Sequence, residues 1–154
     1  LHALEAPAIG GETAFANQIL AYQELSAGMK KLVDSLVAKH SAKDLARLYG
    51  QDPDQASEAE HPVVRTHDES GEKALYVCRA FTRQFKDWSR EESKALLDYL
   101  YEHCVRPEYQ ARHRWQAGDL VMWDNRCLLH YAVHDHGDDP RVIHRLQVRG
   151  VSPV

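Results

Sequence analysis

Residues 123–149 read W-D-N-R-C-L-L-H-Y-A-V-H-D-H-G-D-D-P-R-V-I-H-R-L-Q-V-R. The run around His130 is apolar and strand-like. Arg141 stands eleven residues beyond His130, and Arg145 four further on, in a second run that alternates in polarity. Side chains on a strand alternate between faces, so Arg141, Ile143, Arg145, Gln147 and Arg149 are expected on one face. Val142, His144, Leu146 and Val148 are expected on the other. Two guanidinium groups about 13 Å apart on one face could hold two anionic groups, because arginine's planar fork donates two parallel hydrogen bonds to a carboxylate or sulfonate. The same alternation also describes the solvated face of an ordinary antiparallel strand. His130 alone fits a hydrogen-bonded core histidine as well as it fits a metal ligand. Spacing leaves both readings open.

Around this stretch lies a chain of 154 residues with a net charge of -4 and 27% charged residues. That length gives room for one domain with a real core. With no long basic run, nucleic acid is not an expected partner. No apolar stretch reaches the roughly 18 residues of a membrane span, and no secretory signal is visible. Cys78, Cys104 and Cys127 are odd in number and lack metal-type spacing, which fits buried thiols of a cytoplasmic protein. The chain opens on Leu1, and residues 1–6 read like the middle of a sheet, so the sequence is expected to start inside a domain.

In order, residues 1–6 predict a strand, 7–11 a turn with two glycines, and 12–16 a second strand. Asn17 is placed to cap a helix to about Leu25, and Ser26 a helix through Leu36. In that helix Met29, Leu32, Val33 and Leu36 form one apolar stripe, read as core packing. Residues 42–49 predict a helical turn or two, and 51–60 a polar, acidic surface loop. Strands are expected at 62–66 and 74–78, joined by a turn in which Gly71 supplies a positive φ. Ser89-x-x-Glu92 fits a capping box for a long helix with Leu96, Leu97, Leu100 and Val105 on its apolar side, stopped by Pro107. Residues 111–115 and 119–123 predict two more strands. No internal repeat is present. The class is mainly β with helical insertions.

Three blocks occur in a fixed order: G-G-E-T-A-F-A-N at 10–17, then H-P-V-V-R-T-H followed by A-L-Y-V-x-x-x-F within 61–81, then W-D-N-R-x-x-x-H-x-A from Trp123 with Arg141 and His144-Arg145 beyond it. Together they resemble the taurine dioxygenase family of Fe(II)- and 2-oxoglutarate-dependent oxygenases. The resemblance covers nearly the whole chain and implies a double-stranded β-helix, or jelly roll. It implies His130 as an iron ligand, and Thr13 with Arg141 as the clamp on the far carboxylate of 2-oxoglutarate. Arg145 would lie near the iron, helping bind the C1 carboxylate or an anionic group of the substrate, and Phe81 would face the substrate. The loop at 44–60 would border the entrance as a lid. Residues 123–126 would shape the turn into the ligand strand.

The implied reaction consumes O2 and hydroxylates a small anionic organic substrate (a sulfonate, sulfate ester or aryloxy acid) with release of succinate and CO2. Two positions depart from the pattern: Glu12 stands for the usual aspartate, and Cys78 for a polar residue. The family's H-x-D metal pair has no match, since the candidate His2-Ala3-Leu4 has leucine where the carboxylate belongs. Residues 1–154 are therefore expected to be the C-terminal portion of a single catalytic domain, incomplete at the N-terminus. A noncatalytic jelly roll that binds small anions is the alternative function. His130, His134 and His136, as H-x-x-x-H-x-H around Asp135, offer a rival metal set, though a straight strand would spread them over roughly 20 Å. A homo-oligomer is compatible with all of these readings.

Overall fold

No strand exceeds five residues in the computed structural model, which describes residues 1–150. The order is β1 (His2–Glu5), β2 (Thr13–Asn17), α1 (Gln18–Gln23), α2 (Ala27–Val33), β3 (Val37–Ser41), α3 (Lys43–Leu48), β4 (Glu58–Pro62), β5 (Val64–Thr66), β6 (Lys73–Leu75), β7 (Thr82–Phe85), α4 (Arg90–Cys104), β8 (Gln110–His113), β9 (Leu128–Ala132) and β10 (Val142–His144). The expected caps hold these helices. The Asn17 side chain accepts the N–H groups of Ile19 and Leu20, and Ser26 accepts that of Met29. Ser89 and Glu92 bond reciprocally as a capping box. Each satisfies backbone donors that the first helical turn leaves without partners.

All strand pairs are antiparallel, in sheets ordered β8-β2-β9, β1-β10, β4-β3-β7 and β5-β6. The apolar core sits within residues 18–109. There α1, α2 and α4 bury Ala21, Val33, Leu97 and Leu100 against Ala38, Val63, Leu75 and Phe85. Residues 110–150 bury far less, and Leu120, Met122, Tyr131, Leu146 and Val148 are exposed.

Several boundaries differ from the sequence expectation. Helix α2 stops at Val33, where Ser35 turns its hydroxyl back onto the Leu32 carbonyl. Residues 37–41 then form β3, and Leu36 packs against the core from outside the helix. Of the expected stripe only Val33 is fully buried, and Leu32 is exposed. Strand β7 was hidden because T-R-Q-F buries only its two end residues, Thr82 and Phe85. Residues 119–123 follow β1 through a bridge from His2 to Leu120 and backbone bonds to Leu1 and Ala3, without forming a strand of their own. The alternating run at 141–149 yields only the three residues of β10. Beyond His144 its side chains point into solvent instead of alternating between two faces.

Candidate functional site

In the sheet β8-β2-β9, Thr13 lies opposite His113 on one side and Ala132 on the other, and Phe15 opposite Ala111 and His130. Directly opposed residues share a face. Thr13, Phe15, His113 and His130 therefore project from one side of the sheet. Ala14, Ala16, Gln110, Arg112, Leu129 and Tyr131 project from the other. Thr13 and His130 are diagonal neighbours, about 7–8 Å apart by sheet geometry. Two tryptophans line this face: Trp123 contacts Phe15 and His130 at ring-centroid distances of 5.0 and 4.9 Å. Trp115 meets His113 edge-on at 4.6 Å.

Thr13 and Arg141 meet. The buried Thr13 hydroxyl oxygen accepts the indole N–H of buried Trp115 at 3.0 Å and an Nη2–H of Arg141 at 3.4 Å. With both of its acceptor positions engaged, the Thr13 O–H is left without a partner among the described residues. Arg141 also donates Nε–H to the Gly11 carbonyl at 2.8 Å. It is half-buried, and burial lowers its pKa from the ordinary value. Among the described residues it forms no ion pair. That separates it from Arg65, Arg83, Arg112 and Arg126, each of which meets a carboxylate. A partly desolvated cation beside a hydroxyl donor has the chemistry to receive an anion.

His130 is exposed on β9, at the edge of the sheet. Partial burial of its ring lowers its pKa, and the Arg145 charge lowers it further. Arg145, itself exposed, is thus within electrostatic reach of His130. A cavity of about 940 Å³ is lined by Phe81 and by residues of both faces of this sheet, Phe15 and His130 from one and Ala14, Ala16, Leu129 and Tyr131 from the other. Thr13, Arg141 and Arg145 are not among its lining residues. His40, His61 and Tyr76 form its far wall, with mutual ring distances of 5.3–5.7 Å. His40 is pushed down to about 4, first by burial and then by the His61 and Arg83 charges.

The W-D-N-R block has a structural task. Asp124 accepts from the backbone N–H and guanidinium of Arg126, and Arg126 also reaches Asp68 and Glu69. These hydrogen bonds hold the Asp124 carboxyl well below the usual carboxylate range. His67 joins at 3.1 Å from Asp124 Oδ2, tying the hairpin β5–β6 to the turn that launches β9. His67, Asp124 and Cys127 place their ligand atoms within 4.8 Å of one another. Even so, His67 Nδ1 accepts the Ser70 backbone N–H, so the proton of a neutral ring is on Nε2, pointing at Asp124. A metal ligand needs a bare nitrogen there, so this set reads as a latch. His130, His134 and His136 are not brought together among the described residues. His136 bonds the Asp139 carbonyl, and Asp135 turns to Gly11.

Sequence reasoning missed Trp115 as a partner of Thr13 and the Gly11 carbonyl as a partner of Arg141. Trp115 ends the strand expected at 111–115, and no motif marks which atom its N–H meets.

The class is set by comparison of folds. The chain superposes with a TM-score of 0.88 and 31% identity on the crystal structure of AAD-2 in complex with Mn(II) and N-oxalylglycine, over 98% of this chain and 62% of that one. The chain belongs to the taurine catabolism dioxygenase TauD, TfdA family, whose model matches residues 1–147. An alpha-ketoglutarate-dependent sulfate ester dioxygenase of Pseudomonas putida is 41% identical over 167 aligned positions, covering 100% of this chain and 55% of the relative. An alkylsulfatase of Acinetobacter baylyi is 38% identical, covering 97% and 51%. The chain spans about half the length of these relatives.

Proposed function

We propose that the protein is an Fe(II)- and 2-oxoglutarate-dependent dioxygenase that hydroxylates a small anionic organic substrate. Sulfate esters are the favoured class over sulfonates and aryloxy acids, because the 41% identical relative is named for them. In this reading residues 1–154 are the C-terminal portion of one catalytic domain with a jelly-roll fold. The single observation that carries the reading is Arg141, an aimed and partly buried guanidinium with no carboxylate partner among the described residues.

The donor set fits 2-oxoglutarate. Arg141 and the Thr13 O–H would hold its far carboxylate, and Arg145 would attract its near carboxylate or the substrate's anionic group. For iron, this chain contributes His130, whose lowered pKa keeps the imidazole unprotonated at neutral pH and able to bind. One imidazole would be one ligand among several. Iron, when bound, supplies the activation of dioxygen. The stoichiometry is substrate C–H, O2 and 2-oxoglutarate giving substrate C–OH, succinate and CO2. Trp123 and Phe15 would shield the His130 side from water, and Phe81 would contact the substrate's apolar body.

The test is succinate formation from 2-oxoglutarate by the full-length protein, since residues 1–154 alone are expected to be inactive, in the presence of an alkyl sulfate, an alkyl sulfonate or an aryloxyacetate. The expected result is turnover that requires Fe(II) and is lost in Arg141→Ala. Binding of 2-oxoglutarate without succinate under any of these conditions would favour the noncatalytic anion-binding module instead.

A further inference from the structure

The segment between β9 and β10 folds back across the glycine pair that precedes β2. Asp135 Oδ1 accepts the Gly11 N–H at 2.8 Å, and Val133 N–H donates to the Glu12 carbonyl at 2.9 Å. The approach is close: a Cβ on Gly10 would lie 2.6 Å from Asp135 Oδ1 and 2.8 Å from the Asp135 carbonyl oxygen. Gly10 and Gly11 have φ of +76° and +66°, in the left-handed region that side chains disfavour. On its other side, Gly11 presents its carbonyl to Arg141 Nε at 2.8 Å, and a Cβ there would lie 3.1 Å from Arg141 Cδ. One unbroken series of contacts therefore runs from Asp135 through Gly11 to Arg141 and on to Thr13.

We propose that Asp135 is a positioning residue: by pinning the Gly10–Gly11 turn, it fixes the carbonyl that aims the Arg141 guanidinium at a bound dicarboxylate. This rests on the reading of Arg141 as the 2-oxoglutarate clamp. Two successive glycines are the most freely rotating backbone in a chain. Without a bond to its N–H, Gly11 could turn its carbonyl away from Arg141. The charge of Asp135 works in the opposite direction, since a carboxylate near an anion site repels the anion. Its benefit must therefore come from the acceptor oxygen, and the two effects predict opposite signs when they are separated.

The experiment measures the 2-oxoglutarate KM and kcat of the full-length protein at saturating substrate, with Fe(II) affinity as a parallel readout. Asp135→Asn keeps an acceptor oxygen at the same reach and removes the charge. Its 2-oxoglutarate KM is expected to equal that of the wild type or to fall. Asp135→Ala removes the acceptor and is expected to raise KM by about 5–10-fold, the equivalent of one hydrogen bond, with kcat and Fe(II) affinity little changed. Asp135→Glu keeps the charge but displaces the oxygen, and should raise KM as alanine does; it serves also if the alanine variant does not fold. A lowered KM in all three variants would show a simple charge effect and overturn the proposal. So would an unchanged KM in Asp135→Ala and Asp135→Glu. If the wild type binds no 2-oxoglutarate, the dioxygenase reading fails and takes this proposal with it. If only the variant pattern fails, the clamp stands and Asp135 is no part of it.

Discussion

Two ends of one sheet face are built differently. At the Thr13 end the polar atoms are placed by neighbours within the chain: Trp115 and Arg141 on the hydroxyl, Gly11 on Arg141, Asp135 on Gly11. At the His130 end an exposed imidazole stands on the edge strand β9, beside the ring of Trp123, with no hydrogen-bond partner among the described residues. In the proposed reading, the anion clamp is held in place by the chain's own hydrogen bonds. His130 is the ligand this chain would contribute to iron, and no such bonds hold it among the described residues.

That asymmetry gives the largest expected effect. Arg141→Ala should lower kcat/KM for 2-oxoglutarate by about 100-fold, because truncating one partner of a partly desolvated charged contact costs about 2–5 kcal/mol. Fe(II) affinity should not move. A parallel loss of metal affinity would mean that the two ends are not separable. Conversely, calorimetry on the 154-residue chain alone should detect no micromolar Fe(II) binding, since a lone imidazole holds ferrous iron poorly. Tight binding there would show that the metal end is as complete as the clamp.

A smaller effect tests how the clamp is tuned. Trp115→Phe keeps an aromatic body in a buried position and deletes the N–H that engages Thr13. The Thr13 hydroxyl is then free to rotate, and the 2-oxoglutarate KM should rise by about 5-fold, one hydrogen bond's worth. In a Thr13→Val background the same change should cost nothing further in KM. Additive losses in that double-mutant cycle would assign Trp115 a packing role alone.

The cavity's far wall provides a stability effect that leaves both ends untouched. Unfolded His40 takes its proton near 6.5, whereas in the fold burial delays protonation to about 4. The unfolded state therefore binds more protons between those values. Stability is full above pH 6.5 and declines as pH falls toward 4. His40→Gln should flatten that decline in urea melts recorded across the window. An unaltered slope would mean that His40 is not held neutral.

How much of this was legible beforehand depends on the kind of signal. Asn17, Ser26 and Ser89 announced their helices because capping is local chemistry, written within three residues. Thr13 and Arg141 were marked as partners by the family blocks, and the geometry that joins them spans 128 positions of sequence. Strands β3 and β7 were not legible because neither alternates in polarity: β3 follows two apolar residues with Lys39, His40 and Ser41, and β7 buries only its end residues Thr82 and Phe85. The run at 141–149 misled for the opposite reason. Its alternation is regular, but β1, the partner of β10, pairs only as far as His144, and Leu146 and Val148 find no surface to cover them. Asp135 stood inside the rival histidine set with no partner assigned, and it meets the Gly11 N–H, because sequence spacing cannot tell which backbone donor a loop carboxylate will meet.

The smallest effect bears on the less finished end. The Arg145 charge lies close enough to His130 to help depress its pKa, after burial, the larger cause. Arg145→Gln removes the charge and leaves the burial, so the His130 pKa should rise while remaining below its ordinary value. The protonated fraction near pH 6 should increase accordingly, as followed by NMR titration of the ring protons in metal-free protein. Because only an unprotonated imidazole binds a metal, metal affinity in the variant should weaken more steeply on acidification than in the wild type. An unmoved titration curve would place Arg145 beyond reach of His130, leaving Arg141 as the one arginine of the pair that serves this face.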